Sequence, residues 1–191
     1  MRATRPAAIE RSAGSPRAQQ SLGHNHWDHA QAWADFAEVP VWAPYKEIEF
    51  SRIATPPAVL PSQFAHAIRW VPLQFDEQPL LGFERSHDLF GDGSLAREPM
   101  AGRPPGSVGL FLALDDGRRF FFTGDTGAWR GSPGRRRSSG SANAWSTTTR
   151  RALQQLEKAH CLLREPPQLV VVPAHGEAVQ RGLGYYPQWI E

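Results

Sequence analysis

The sequence predicts a mixed α/β fold, on three observations. The apolar run Val108 to Leu114 and the segment Arg118 to Thr123, which returns through Phe120-Phe121-Phe122, flank the turn Asp115-Asp116-Gly117, as in a hairpin buried on both faces. Leu153, Leu156, Ala159 and Leu163 recur at helical spacing between Arg150 and Leu163. Seventeen prolines and seventeen glycines spread along 191 residues exclude an architecture of long helices.

Each element follows in chain order. Residues 1–20 show neither helical nor strand periodicity and carry several arginines against one acid, Glu10, so an unstructured arm over 1–21 is expected. A domain then spans 22–191, with a flexible Gly/Ser/Arg-rich loop at about 130–147. Ala30, Trp33, Ala34 and Ala37 predict a short helix over 28–38, and Pro40 to Trp42 a brief strand. From Pro44 to Ala67 the prolines break any long element, and a short helix is expected around Gln63 to Ala67. Ile68 to Phe75 reads as a strand broken at Pro72. Gly91-Asp92-Gly93 predicts a hairpin turn between 83–90 and 94–100. Pro166-Pro167 stops the long helix, and Leu169 to Pro173 is a short buried strand.

Charge and composition exclude several classes. No apolar run approaches the roughly 20 residues a membrane span needs. The single Cys161 excludes an internal disulfide and fits a reducing, cytoplasmic setting. The basic cluster Arg135-Arg136-Arg137 lacks interleaved aromatics, so it reads as solvated rather than as a nucleic-acid contact.

The chemistry is concentrated in His24-Asn25-His26-Trp27-Asp28-His29, three imidazoles and a carboxylate within six residues. On an extended loop His24 and His26 project to one side, while Asp28 and His29 fall where a helix begins. Such a bend can serve two adjacent cations, and neutral imidazole with carboxylate is the donor set zinc prefers. A polar, histidine-rich turn is the plainer alternative.

This run resembles the HxHxDH signature of the metallo-β-lactamase superfamily. Thr123-Gly124-Asp125-Thr126, after the Phe-rich strand, is similar to the segment whose Asp bridges two metals in that family. Pro173-Ala174-His175-Gly176 is similar to the segment holding its last His ligand. The resemblance covers about residues 22–185. It implies an αββα sandwich and a zinc-dependent hydrolase, of a lactonase-like branch, that acts on a small ester, lactone, thioester or amide through a metal-bound hydroxide. By that resemblance His24 and His26 serve the first metal; Asp28, His29 and His175 serve the second; Asp125 is shared. Asp28 or Asp125 would orient water and take its proton.

Two departures stand out. Where the family carries a segment like Gly-His-Thr-Pro-Gly-Ser, this chain has Gly102-Arg103-Pro104-Pro105-Gly106-Ser107. Arg103, which has no lone pair to give a metal, stands at a ligand position, with a substrate contact as its other conceivable role. One zinc ion is therefore expected, against two in an intact site. The residues before the motif, Gln19 to Gly23, also lack the apolar strand that normally delivers it, so an αββα sandwich incomplete at its N-terminus is expected. The alternatives to a hydrolase are a non-catalytic remnant with weak metal binding and, less favoured, a nucleic-acid-processing member. Partners expected are a small-molecule substrate and, through exposed sheet edges, another chain.

Overall fold

In the computed structural model, residues 20–21, 23–80, 82–100, 104, 106–125 and 169–183 are described. The expected arm over 1–19, the loop at 130–147, the helix over 150–163 with Cys161, and Arg103 lie outside these residues. The chain divides into two compact units, one running to Leu73 and the other starting at Gln74.

The first unit holds a three-stranded parallel sheet in the order β1 (Gln20–Ser21), β2 (Val41–Ala43), β3 (Trp70–Pro72). The existence of β1 corrects the expectation that the arm reaches residue 21, while the apolar strand expected to be missing before the histidine motif is not supplied by it. Its two residues are polar and pair with Val41 and Trp42 by backbone alone, so no hydrophobic pattern announces it. The Gln20 side chain adds donors to the carbonyls of Phe36 and Val39. Pro72 ends β3, at the sheet edge, where a missing N–H breaks no ladder.

Residues 44–67 hold no long element, as expected, but they do hold a helix that the sequence pattern did not announce. A nine-residue helix, α1 (Tyr45–Ile53), occupies part of this stretch. Pro44 stands at its N-cap and its carbonyl accepts the N–H groups of Glu47 and Ile48, while Pro56-Pro57 follow its end. The prolines bracket the helix instead of breaking it. The short helix expected near Gln63 is a single 3₁₀ turn, Pro61–Phe64.

The helix expected over 28–38 is also reduced to a 3₁₀ turn, Trp33–Phe36, with no side-chain cap at Ala32. The chain before it is committed to a tight turn in which the His26 carbonyl accepts both the His29 and Ala30 N–H groups. Trp33 anchors the unit's core with Ala30, Val41, Ala43 and Ile48, and packs edge-on against Phe64 and Trp70.

The second unit is a five-stranded sheet in the order β4 (His87–Asp88), β5 (Leu95–Pro99), β6 (Val108–Ala113), β7 (Arg119–Gly124), β8 (Leu169–Pro173). Both hairpins expected from the sequence are present. In the first, the Asp88 carboxylate accepts the N–H groups of Phe90, Gly91 and Gly93. Gly91 and Gly93 take φ of 74° and 75°, a region only glycine enters at little cost. In the second, the Asp116 carboxylate accepts from the Arg118 backbone and guanidinium. Ala96, Phe111 and Phe121 align across β5, β6 and β7 and form the core with Phe83, Met100 and Leu169.

Strand β8 pairs with β7 in parallel, Phe121 opposite Val171. This pairing brings the C-terminal ends of β7 and β8 to the same end of the sheet, where Asp125 and His175 follow them.

Candidate metal centre

The histidine loop lies in the first unit. Following β1, His24 is buried, at 1% exposure, and its Nε2 lies 3.0 Å from Nδ1 of His26. The tight turn at His26 folds His29 back, so that the His24 and His29 ring centres are 3.9 Å apart. His29 Nε2 is 3.7 Å from the Asp28 carboxylate. Sequence reasoning anticipated these four donors in one loop but not the contact between His24 and His29. Their turn arrangement also replaces the expected helix start at Asp28.

The loop is tied down from outside. Trp27 donates its N–H to the Ala58 carbonyl and accepts from Gln63 Nε2, at 3.0 and 2.8 Å. Asn25 donates its N–H to the Glu47 carboxylate at 2.6 Å and its side-chain amide to the Glu47 carbonyl at 2.5 Å. No pattern in the sequence singled out Glu47 or Gln63, because an acidic residue in a helix and an amide in a loop are ordinary surface features.

The second unit holds a donor pair of its own, built on its parallel strands. The β7–β8 ladder shifts register between Phe122 and Gly124, and Gly124 takes φ of 56°. That bulge turns the chain so that Asp125 leaves the strand end. Gly124 accepts the Ala174 N–H at 2.9 Å, and His175 Nε2 sits 3.1 Å from Asp125 Oδ1. From helix α2 (Glu177–Leu183), Gln180 donates to the Ala174 carbonyl at 2.5 Å and holds the His175 loop.

Gly176 closes this loop tightly. A Cβ there would lie 2.3 Å from Pro173 Cγ and 3.2 Å from the Pro173 carbonyl oxygen. Gly176→Ala is therefore expected to destabilise the protein by about 1–3 kcal/mol, as overpacking does. Urea unfolding checks this, and an unchanged midpoint would show that the loop yields freely.

His87 does not join Asp125 and His175, since β4 and β8 are opposite edges of the sheet. It sits 3.8 Å from Asp76. Burial, helped by the positive charge of Arg97, holds its imidazole below the ordinary histidine range.

Imidazole and carboxylate donors fit a borderline-soft divalent cation. A tetrahedral ion bound at 2.0–2.1 Å spaces its donors at roughly 3.3 Å, close to the 3.0 and 3.1 Å found within the two pairs. These are candidate metal-binding groups on three segments that each follow a strand, β1, β7 or β8.

The family is given by sequence. Residues 22–175 match the metallo-beta-lactamase superfamily model, and the chain belongs to that superfamily, whose members of this kind are metal-dependent hydrolases. No curated protein matches it. Among solved structures it is similar to a mutant AiiA of B. thuringiensis with N-decanoyl-L-homoserine bound at the active site. The TM-score is 0.58 at 15% identity, over 95% of this chain and 66% of that one. An N-acyl homoserine lactone hydrolase with its product N-hexanoyl-L-homoserine at the catalytic metal centre gives 0.58 at 14%, over 95% and 66%. A quorum-quenching N-acyl homoserine lactone hydrolase gives 0.58 at 13%, over 96% and 69%. The likeness shows the fold: mixed α/β, of the metallo-β-lactamase type. The chain spans about two thirds of the length of these enzymes.

Proposed function

We propose that this protein is a zinc-dependent hydrolase that opens a small lactone or cleaves a related ester, thioester or amide. The ligands in this reading are His24, His26, Asp28, His29, Asp125 and His175. The observation that carries this reading is the pairing of donor atoms at 3.0 Å in the His24–His26 loop and at 3.1 Å between Asp125 and His175. Both pairs occur in the order of the family's motifs.

A divalent cation, held by these residues, would supply Lewis acidity toward a substrate carbonyl and would lower the pKa of water. The chain's own groups do the rest. Asp28 and Asp125 orient the attacking water and take its proton. Trp27, between His26 and Asp28, keeps 45% of its surface exposed while its backbone is pinned at both N–H and carbonyl. It offers an indole face to the apolar part of a substrate. Arg103 is proposed either as a block to one metal or as a contact for the substrate. Among the described residues no helix is long and apolar enough to cross a membrane, and the lone Cys161 fits our reading of a cytoplasmic setting.

The test is direct. Purified protein is analysed for metal, then assayed for ring opening of N-acyl homoserine lactones and for aryl ester hydrolysis. Activity that vanishes with a chelator and returns with zinc is expected. Asp28→Asn should lower kcat by roughly 10²-fold or more. Absence of both metal and hydrolysis would leave the second reading, a remnant that binds metal weakly, which the arginine at position 103 favours.

A further inference from the structure

Glu47 is fully buried, at 0% exposure, in the first turn of α1. A carboxylate in that situation requires a reason, because helical glutamates normally stay in water. Its carboxylate accepts the backbone N–H of Asn25, the residue between His24 and His26. Asn25 is itself at 0% exposure, and its side-chain amide donates to the backbone carbonyl of the same glutamate. The Asn25 Oδ1 is buried without a partner. The amide is therefore held for its donor, at the cost of an unsatisfied acceptor.

Two bonds from one residue thus grip both the backbone and the side chain of the position separating two ligand histidines. Backbone rotation at Asn25 is the motion that would swing His24 away from His26, whose facing nitrogens are 3.0 Å apart. We propose that Glu47 is a positioning residue, which through Asn25 fixes the His24–His26 loop and so sets its affinity for a divalent cation. This rests on the reading of the loop as a metal ligand.

The helix supplies the rigidity. Ile48, next to Glu47, is packed in the core with Trp33 and Val41. The carboxylate is consequently presented from a fixed element, and the loop adapts to it. Residues that orient ligands in this way commonly change metal affinity by about 10–100-fold when replaced.

The experiment compares zinc affinity of the full chain, by competition with a chromophoric chelator, in the wild type, Glu47→Gln and Glu47→Met. Thermal unfolding of the metal-free forms is measured alongside. Gln keeps an acceptor for the Asn25 N–H, and its affinity should stay within about threefold of wild type, whereas Met fills the space without one and should weaken zinc about 10–100-fold. The proposal is overturned if folded Glu47→Met binds zinc as tightly as wild type, or if Glu47→Gln loses as much as Glu47→Met. If Glu47→Met does not fold, Glu47→Asp replaces it, since the shorter carboxylate withdraws from the amide; undiminished affinity there also overturns the proposal. A wild type that binds no zinc refutes the metal reading instead, which separates the two failures.

Discussion

Glu98→Gln is expected to make the protein more stable than wild type at pH 8, by a few kcal/mol, and to leave it nearly unchanged at pH 4. Glu98 is at 0% exposure on β5, and neither carboxylate oxygen has a hydrogen-bond partner. Strand alternation puts it on the face of Ala96 and Met100, in the apolar core, opposite Gly109. Its neighbour Arg97 is buried too, but alternation sends that guanidinium to the other face, so the two do not neutralise one another. Burial pushes Glu98 up to about 8 and Arg97 down to about 10.

The sign follows from proton counting. Between about pH 4.3, the ordinary glutamate value, and pH 8, the folded chain keeps the Glu98 proton while the unfolded chain loses it. Stability therefore falls as pH rises through this window, by about 1.4 kcal/mol per pH unit at most. Below the window both states are protonated and the penalty is absent. Glutamine does not titrate, so the variant lacks this slope. Urea unfolding of both proteins at pH 5 and pH 8 provides the check. Parallel pH dependences would mean that Glu98 is ionised in the native state.

The second large effect is expected at position 103. Arg103→His should raise bound zinc from about one to about two ions per chain and increase the hydrolytic rate. A guanidinium stays protonated at any working pH, offers no lone pair and repels a cation nearby. Neutral imidazole reverses all three properties. Metal analysis and the lactone assay on the same preparations decide the matter. A variant with unchanged metal content and rate would mean that Arg103 is not what limits the site.

How much of this could be read from the sequence depended on whether a feature was encoded locally. The Asp88 and Asp116 turns were readable because glycine and aspartate dictate their geometry within a few residues. The strands around Phe121 and Val171 were readable because continuous apolar runs have few other uses. Asp125 and His175 could be singled out because the segments holding them, just past such runs, resemble the family's ligand motifs. Helix α1 was hidden because prolines at both ends look the same as prolines in the middle when only composition is counted. Strand β1 was hidden because Gln20 and Ser21 pair through backbone groups common to every residue. Glu47 was hidden for a different reason: its burial depends on a loop about twenty residues away, and nothing within α1 itself demands an acid there.

The parallel alignment of β7 with β8 has a kinetic consequence. The hairpins β4–β5 and β6–β7 close short loops, and β5–β6 needs only a modest one, so these can register early. Strand β8 cannot dock until residues 125–168 have looped back, an entropic cost that grows slowly with length but precedes any reward from the ladder. During synthesis Asp125 therefore leaves the ribosome well before the histidine it will face. The Asp125–His175 pair is assembled last, after most of its supporting sheet already exists.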